Sequence, residues 1–571
     1  MAEAVAVGRE PAPGATTRPK VGRDDWIMRA FMGVIALYLL VALALPLYAM
    51  LSKAMENRAG DFVAFANFAT YFSTPALFYS IYNSLIVAAI TTVITVTLAF
   101  VLAYALTRSC IPFKGLFKAI ALVPILVPSL LPGIGLIYLF GRQGIIRELL
   151  FGYDIYGPLG IVIAEVFYTF PHALIIIVTA LAIADARLYE AATALRAPKP
   201  KIFWTVTLPG ARYGLISAAF VVFTLVVTDF GAPKVIGGQF DVLAVDIYKQ
   251  VIGQQNFQMG AVVSVVLLVP AVLAFAVDRL IQRRQVAQLS ARAVPYEPRP
   301  AARFDLVMLG YCLLISVFIL GILAICQYAA LVRLWPYNLE LTLKNYKFDL
   351  MDGGGWDSYG NSIRMALYTA VIGTMVVFSG AYLVEKGRGF ALGRGLFQFL
   401  AMMPMAIPGM VLGLAYIFFF NHPANPINFL YGTMAILVIS TITHFYTVAH
   451  LTSVTALKQM DPEFEAVSAS LKQPFYRTFA KVTVPVCLPA ILDIGIYLFV
   501  NAMTTVSAVV FLYSPDTTLA SVAVLNMDDA GQIAAAAAMG MMIFYTNAGA
   551  RLIHALLSRG LLSRTQAWRR R

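Results

Sequence analysis

Residues 185–209 read DARLYEAATALRAPKPKIFWTVTLP, and residues 461–485 read DPEFEAVSASLKQPFYRTFAKVTVP. Leu195, Pro198, Phe203 and Pro209 recur as Leu471, Pro474, Phe479 and Pro485, each 276 residues on. Upstream, Thr179-Ala-Leu181 matches Thr455-Ala-Leu457 in the same register. Farther out the offset drifts by a few residues, yet Asn83-Ser84 still matches Asn361-Ser362, and Pro124 and Pro128 match Pro404 and Pro408. The chain is therefore a tandem repeat, and the repeat governs every other assignment.

Each copy lies among long apolar runs. Hydrophobic residues make up 60% of the chain and charged residues 12%, about half the charge of a soluble domain. Twelve runs approach or exceed the roughly 18–20 residues needed to cross a bilayer as a helix. They fall at 27–51, 80–107, 116–141, 158–183, 213–232 and 258–281, then at 305–332, 360–385, 395–420, 431–457, 488–512 and 535–557. The prediction is an all-α polytopic membrane protein of two tandem six-helix halves in the same orientation, since six crossings return the chain to its starting side.

The net charge of +13 is read through its distribution. Most of the 42 Lys and Arg fall with the N-terminus, the C-terminus and the loops sharing their side. By the positive-inside rule both termini are expected in the cytoplasm, and the basic excess is a topology signal with no nucleic-acid partner implied. The expected organisation is a disordered cytoplasmic tail over 1–25, a first domain over 26–281, a cytoplasmic linker over 282–304, a second domain over 305–560 and a basic tail over 561–571. The run from Trp26 to Leu51 exceeds a signal-peptide core, so an uncleaved first helix is expected. Cys110, Cys312, Cys326 and Cys487 have no paired spacing and are expected to be reduced packing residues.

The repeated segment opens with helix-start chemistry. Asp461 suits an N-cap, Pro462 the first turn, and Glu463 the positive end of the dipole. These two segments resemble the EAA loop of binding-protein-dependent ABC transporter permeases, with Asp185, Glu190, Ala191, Ala192, Leu195 and Pro209 in the first copy. The second copy offers Asp461, Glu465, Ala466, Leu471 and Pro485. The resemblance implies a type I ABC importer permease fold in the bacterial inner membrane. It further implies a short helix docking on each of two ATPase subunits, which bind ATP and Mg, and a periplasmic solute-binding protein. Two departures stand out. The glycine usual after the leucine is Arg196 or Lys472, and Ala466 aligns with Glu190 while Glu465 stands one residue earlier. No Gly-x-x-x-x-Gly-Lys-[Ser/Thr] phosphate loop occurs, so no cofactor is expected on this chain and it is expected to be a transport subunit with no enzymatic activity.

Further stretches narrow the resemblance. Tyr213-Gly-Leu-Ile-Ser217, Thr228-Asp-Phe-Gly-Ala-Pro-Lys-Val-Ile-Gly-Gly238, Asp246-Ile-Tyr-Lys-Gln-Val-Ile-Gly-Gln-Gln-Asn256 and Phe167-Tyr-Thr-Phe-Pro-His172 look like fused 2-aminoethylphosphonate permeases. The alternative is the neighbouring ferric-iron permeases, which share the architecture and the Asp-Phe-Gly-Ala pattern.

Polar groups inside a bilayer cost about 2.5–3.5 kcal/mol for a central Asp and so default to function. Asp229 and Thr228 in the first half, with Thr504, Thr505, Ser507 and Asn501 in the second, are the expected translocation path. For Asp229 a second reading stands equally, as a cap on backbone beside Gly231 and Pro233. Glu165 is expected to pair with His172, two turns along one helical face, in preference to facing the pore. Asp493 and Asn501 share a face, and one of them is expected to line the path. Pro128, Pro132, Pro404 and Pro408 are expected to kink helices as packing features. Lys234 and Arg364 are the candidates for meeting an anion near the outer helix ends. A proton-coupled carrier shares the hydropathy but bears its signature between helices two and three, where this chain has Arg108-Ser-Cys-Ile-Pro-Phe-Lys-Gly115. A membrane enzyme is disfavoured because the five His and four Cys form no metal-ligand spacing, and no nucleophile elbow appears.

Overall fold

The computed structural model describes residues 22–286, 294, 296–387 and 389–565. With no water in the hydrocarbon layer, backbone groups must bond internally, and these apolar segments do so as helices. The first half has unbroken spans at Arg23–Ala54, Pro75–Arg108, Pro158–Ala182, Lys199–Thr228 and Phe257–Ile281. The second has Ala302–Leu331, Gly355–Lys386, Met434–Lys458 and Ile533–Ser558. Three further helix pairs are bent. Lys114–Leu126 meets Leu130–Phe140 at 104°, Ala391–Ala406 meets Gly409–Phe420 at 113°, and Phe475–Val486 meets Leu488–Thr504 at 77°.

Contacts at their ends show that all three bent pairs cross. Before the first, the Cys110 amide donates to Asp305 at the start of the seventh span. After it, Gln143 meets Tyr337 and Trp335 beyond that span's other end. The second pair begins with Phe390 under the Arg29 guanidinium and ends with Tyr431 bonded to Phe511 O. The third begins with the Phe475 amide on Asp24 and ends with Thr505 O held by Ser521. Together with the nine unbroken helices they make twelve candidate crossings among the described residues.

The large bends exceed the kinks expected from proline alone. Pro124 and Pro404 sit in 3₁₀ turns, Val123–Leu126 and Met403–Ala406, and Pro128 and Pro408 occupy the breaks. Pro132 lies in the first turn of Leu130–Phe140, where its missing N–H costs nothing and no kink results. The fifth and eleventh helices also stop short of their apolar runs, at Thr228 and Thr504 instead of 232 and 512. The chain then turns into short helices, Gly231–Ile236 in the first half and Ala520–Asp529 in the second. The first helix begins at Arg23 inside the expected tail, whose residues 1–21 lie outside the described residues. The sixth helix continues to Val286 and the last to Thr565, into the expected linker and basic tail. Residues 287–293, 295 and 566–571 lie outside the described residues.

The halves exchange their leading spans. The first span packs on the eighth and ninth, and Tyr38 Oη bonds Thr443 Oγ1 at 2.9 Å. The seventh packs on the second and third, and Tyr311 donates to Leu98 O at 2.7 Å. On the face opposite the 185–209 loop, Asn83 donates to Asp241 O and Ser84 Oγ accepts from the Leu243 amide. Asn361 and Ser362 repeat this on Asp516 O and the Ala520 amide. The repeated Asn-Ser pairs thus pin the loop that follows each short helical turn.

The breaks carry a reciprocal pair. A Cβ on Gly231 would lie 2.2 Å from Ser129 Oγ, and one on Gly409 would lie 2.2 Å from Ser507 Oγ. By repeat position Ser129 corresponds to Gly409 and Gly231 to Ser507, so each half places one serine and one glycine at this contact with the roles exchanged. Gly231→Ser is therefore expected to lower stability by about 1–3 kcal/mol through overpacking. Ser129→Gly combined with Gly231→Ser, which copies the second half, is expected to recover it, as read by thermal unfolding in detergent.

Candidate functional site

The two repeated loops form matching brackets on one face. In the first, Asp185 Oδ1 accepts from the Arg187 amide at 3.1 Å and starts the helix Ala186–Ala194. In the second, Asp461 Oδ1 accepts from the Glu463 amide at 2.9 Å, and Glu463–Ser470 follows. Both helices end alike. Arg196 N donates to Thr193 O and Ala197 N to Ala192 O; Lys472 N donates to Ala469 O and Gln473 N to Ser468 O. This double closure requires a left-handed residue just past the helix. Arg196 and Lys472 adopt it, with φ of 55° and 50°, which explains why glycine is usual at that position. Each loop then enters a π-helical turn, Phe203–Thr207 or Phe479–Thr483. The wider turn precedes Pro209 and Pro485, which cannot donate to a regular helix.

Leu195 and Leu471 stand outward, 83% and 64% exposed. Glu190, Ala191 and Ala466 are exposed and Ala192 is half-buried. Glu465 belongs elsewhere: its Oε1 lies 2.6 Å from Lys386 Nζ, with the lysine side chain 12% exposed. The repeat explains this, because Glu465 corresponds to Tyr189 and Lys386 occupies the place of Arg108. In the first half the Arg108 guanidinium stacks on Tyr189 and Tyr296, donates to Leu181 O, and Tyr189 bonds Thr207. Glu465 is thus an anchor facing the protein, while the outward position of Glu190 is held by Ala466.

Between the halves lies a cavity of about 340 Å³. Thr228, Asp229, Asn501, Thr504, Thr505 and Ser507 all line it. Its lining continues through Tyr168, His172, His444 and Tyr497 to Asp278, past the midpoint of the sixth helix. Asp229 Oδ2 caps the Ala232 amide at 2.9 Å, and the residue also borders the cavity. The expected Glu165–His172 pair is absent. Glu165 is buried in the field of Asp229, and His172 packs on the Tyr168 ring. Asn501 lines the cavity and Asp493 does not; the latter pairs with His554 at 3.2 Å. Tyr168, Tyr497 and His444 went unnoticed in the sequence, where single aromatics in apolar helices look like packing. Tyr168 was accessible through its spacing, one turn from Glu165 on the same face.

At the far face Lys234 is committed to an ion pair. Its Nζ lies 2.8 Å from Asp529 Oδ1 and over the Tyr248 ring, bridging the short helices of the two halves. Arg364 is exposed on the eighth span, away from the cavity lining. Beside the bridge, burial pushes the Asp528 carboxyl up from 3.8 to about 7, with Asp529 adding and Lys234 opposing.

Residues 96–286 and 378–563 each match the family model described as binding-protein-dependent transport system inner membrane component, and the chain belongs to that family. It is 30% identical over 427 residues to the ferric transport system permease protein FbpB of Actinobacillus pleuropneumoniae, covering 72% of this chain and 61% of that one. It is 30% identical over 404 residues to the putative ferric transport system permease protein FbpB 1 of Haemophilus influenzae, covering 67% and 62%. The chain therefore spans about three fifths of the length of these two relatives. A sulfate transport system permease protein, CysW of Synechocystis, is 27% identical over 161 residues, 27% of this chain and 57% of that one. Among solved structures, a bacterial ABC transporter involved in alginate import aligns over 45% of this chain and 96% of its own, at 15% identity and a TM-score of 0.39. The phosphonate expectation finds no support among these relatives.

Two outcomes are expected. Lys386→Ala should cost about 1–3 kcal/mol by stranding the partly buried Glu465 carboxylate. Lys386→Arg with Glu465→Tyr, which installs the first half's pair, should restore thermal stability. For Asp528, a raised carboxyl value means that the folded segment holds a proton which the unfolded segment releases. Its stabilisation is complete below about pH 4 and lost as pH rises through about 7. Amide exchange over 520–529, corrected for intrinsic rate, should be faster at pH 8 than at pH 5, and Asp528→Asn should flatten that difference.

Proposed function

We propose that this chain is the membrane-spanning permease of an ATP-driven importer, that both repeated loops face the cytoplasm, and that the solute is ferric iron. The observation that carries the first part is the pair of brackets with outward Leu195 and Leu471, each closed by the same hydrogen bonds. A rigid helix rooted between two spans transmits displacement, and an apolar knob fits a groove on a partner. One ATPase subunit on each loop, fed with solute by a periplasmic binding protein, is the arrangement that two equivalent brackets serve. Closure of the ATPases moves the brackets and reorients the cavity between the two faces by alternating access. On the far face the Lys234–Asp529 bridge joins the two halves, and opening that side would break it.

Ferric iron is favoured over 2-aminoethylphosphonate by two observations. The relatives spanning most of the chain bear ferric names. Among the described residues, no Lys or Arg lines the cavity, whereas Asp229 and Asp278 do. A phosphonate anion would meet carboxylates there with no cationic partner.

Glu190→Ala with Leu195→Ala is expected to reduce solute-stimulated ATP hydrolysis in proteoliposomes by at least about tenfold, or about 1.4 kcal/mol of coupling. Assembly with the ATPase should persist through the second loop, and undiminished stimulation would remove the first loop from the drive. For the solute, the cognate binding protein is expected to bind ferric iron in calorimetry. Binding of 2-aminoethylphosphonate instead would reverse that assignment.

A further inference from the structure

Glu165 is fully buried in the fourth span, no Lys, Arg or His pairs with it, and the group its carboxyl meets is the Asp229 carboxyl. The ionisable group acting on it is Asp229, which borders the cavity. Tyr168, one turn along from Glu165, borders the same cavity and lies in the field of both carboxyls. Tyr497 comes from the other half, lines the cavity as well, and is electrostatically coupled to Tyr168. Asp229, Tyr168 and Tyr497 therefore line the cavity together, with Glu165 buried behind Asp229 and Tyr168.

The duplication supplies a control for what the fold itself needs. By repeat position Glu165 corresponds to Thr441 and Asp229 to Thr505. Thr441 satisfies itself on Leu437 O at 2.7 Å, and Thr505 lines the same cavity from the second half. The architecture thus accepts threonine at both positions. Both are acidic together in one half, although buried acids are costly in a membrane. Two carboxyls buried against one another with no cationic side chain between them invite a cation.

We propose that Glu165 and Asp229, with the phenols of Tyr168 and Tyr497, form a transit site for a hard trivalent cation at the edge of the cavity. This rests on the ferric reading above. Anionic oxygen donors suit hard cations, as soft thiolates do not. Among the described residues, no three His, Cys, Asp or Glu side chains gather into a cage, and a transit site should lack one. An ion must enter readily and leave again, which acidic groups in the first half with neutral Thr505 in the second permit.

The test uses terbium chloride as probe on the full chain in nanodiscs, with emission sensitised by tyrosine. The wild type is expected to give saturable emission that gallium displaces. Glu165→Thr with Asp229→Thr, copying the second half, should weaken terbium binding at least about tenfold. Equal affinity in a variant that melts like wild type overturns the site; should that variant unfold, Glu165→Gln with Asp229→Asn is read the same way. Uptake separates the two readings. With the partner subunits and binding protein present, wild-type ferric uptake that is unchanged in the variant overturns the site and leaves the ferric reading standing. Terbium binding that depends on Glu165 and Asp229, in a transporter that moves no ferric iron, supports the site as a cation site and removes the ferric reading.

Discussion

A peptide carbonyl left open inside a bilayer has no water to turn to, and this constraint shapes the centre of the molecule. The third span breaks at Val127-Pro128-Ser129, which frees the carbonyl of Leu126. Asn547, fully buried in the twelfth span, donates to it at 3.0 Å. The Pro124 and Pro128 carbonyls are taken up locally by the Val127 and Leu131 amides. A break is tolerated here because it is buried between the halves, and its polar backbone becomes part of the cavity's rim. The same logic holds at Pro408, where Pro404 O and Pro408 O accept from Ile407 N and Leu412 N. Irregular backbone and cavity therefore occur together for one physical reason.

Much of this was legible in the sequence because the repeat acts as an internal alignment. Apolar run length and the Leu195/Leu471 register gave the number and order of the spans. The placement of Thr228 and Asp229 opposite Thr504 and Thr505 followed from their equivalence across the halves. What the sequence withheld depends on tertiary contact. Proline chemistry announces a disturbed helix, yet a bend of 104° or 113° is set by what packs into the elbow. Glu465 was misread because a motif comparison rewards any nearby carboxylate, whereas the 276-residue register equates it with Tyr189 and points it inward. Glu165 was assigned a partner by helical spacing alone, but spacing cannot tell that Asp229 comes close from another helix.

Duplication also shows how contacts drift without loss of fit. Arg108 with Tyr189 in the first half stands where Lys386 with Glu465 stands in the second, a stacked guanidinium in one and an ion pair in the other. Ser129 with Gly231 became Gly409 with Ser507, conserving the combined volume while exchanging its owners. Arg196 and Lys472 both hold the left-handed position that glycine would occupy with less strain, and both loops close with the same pair of bonds. Geometry is kept and chemistry is free wherever a position only supports; where the two halves differ in charge, as at Glu165 and Asp229, support alone does not account for it.

The exchange of leading spans bears on how the chain is made. The first helix leaves the ribosome hundreds of residues before the eighth and ninth, on which it finally packs. During that interval Trp26, Phe31, Val34 and Leu37, which remain exposed in the finished molecule, give it a surface suited to lipid. Biogenesis must therefore end with a late docking step that unites the beginning of synthesis with its second half. Until the second half is in place, the cavity lacks the residues that half contributes to its lining.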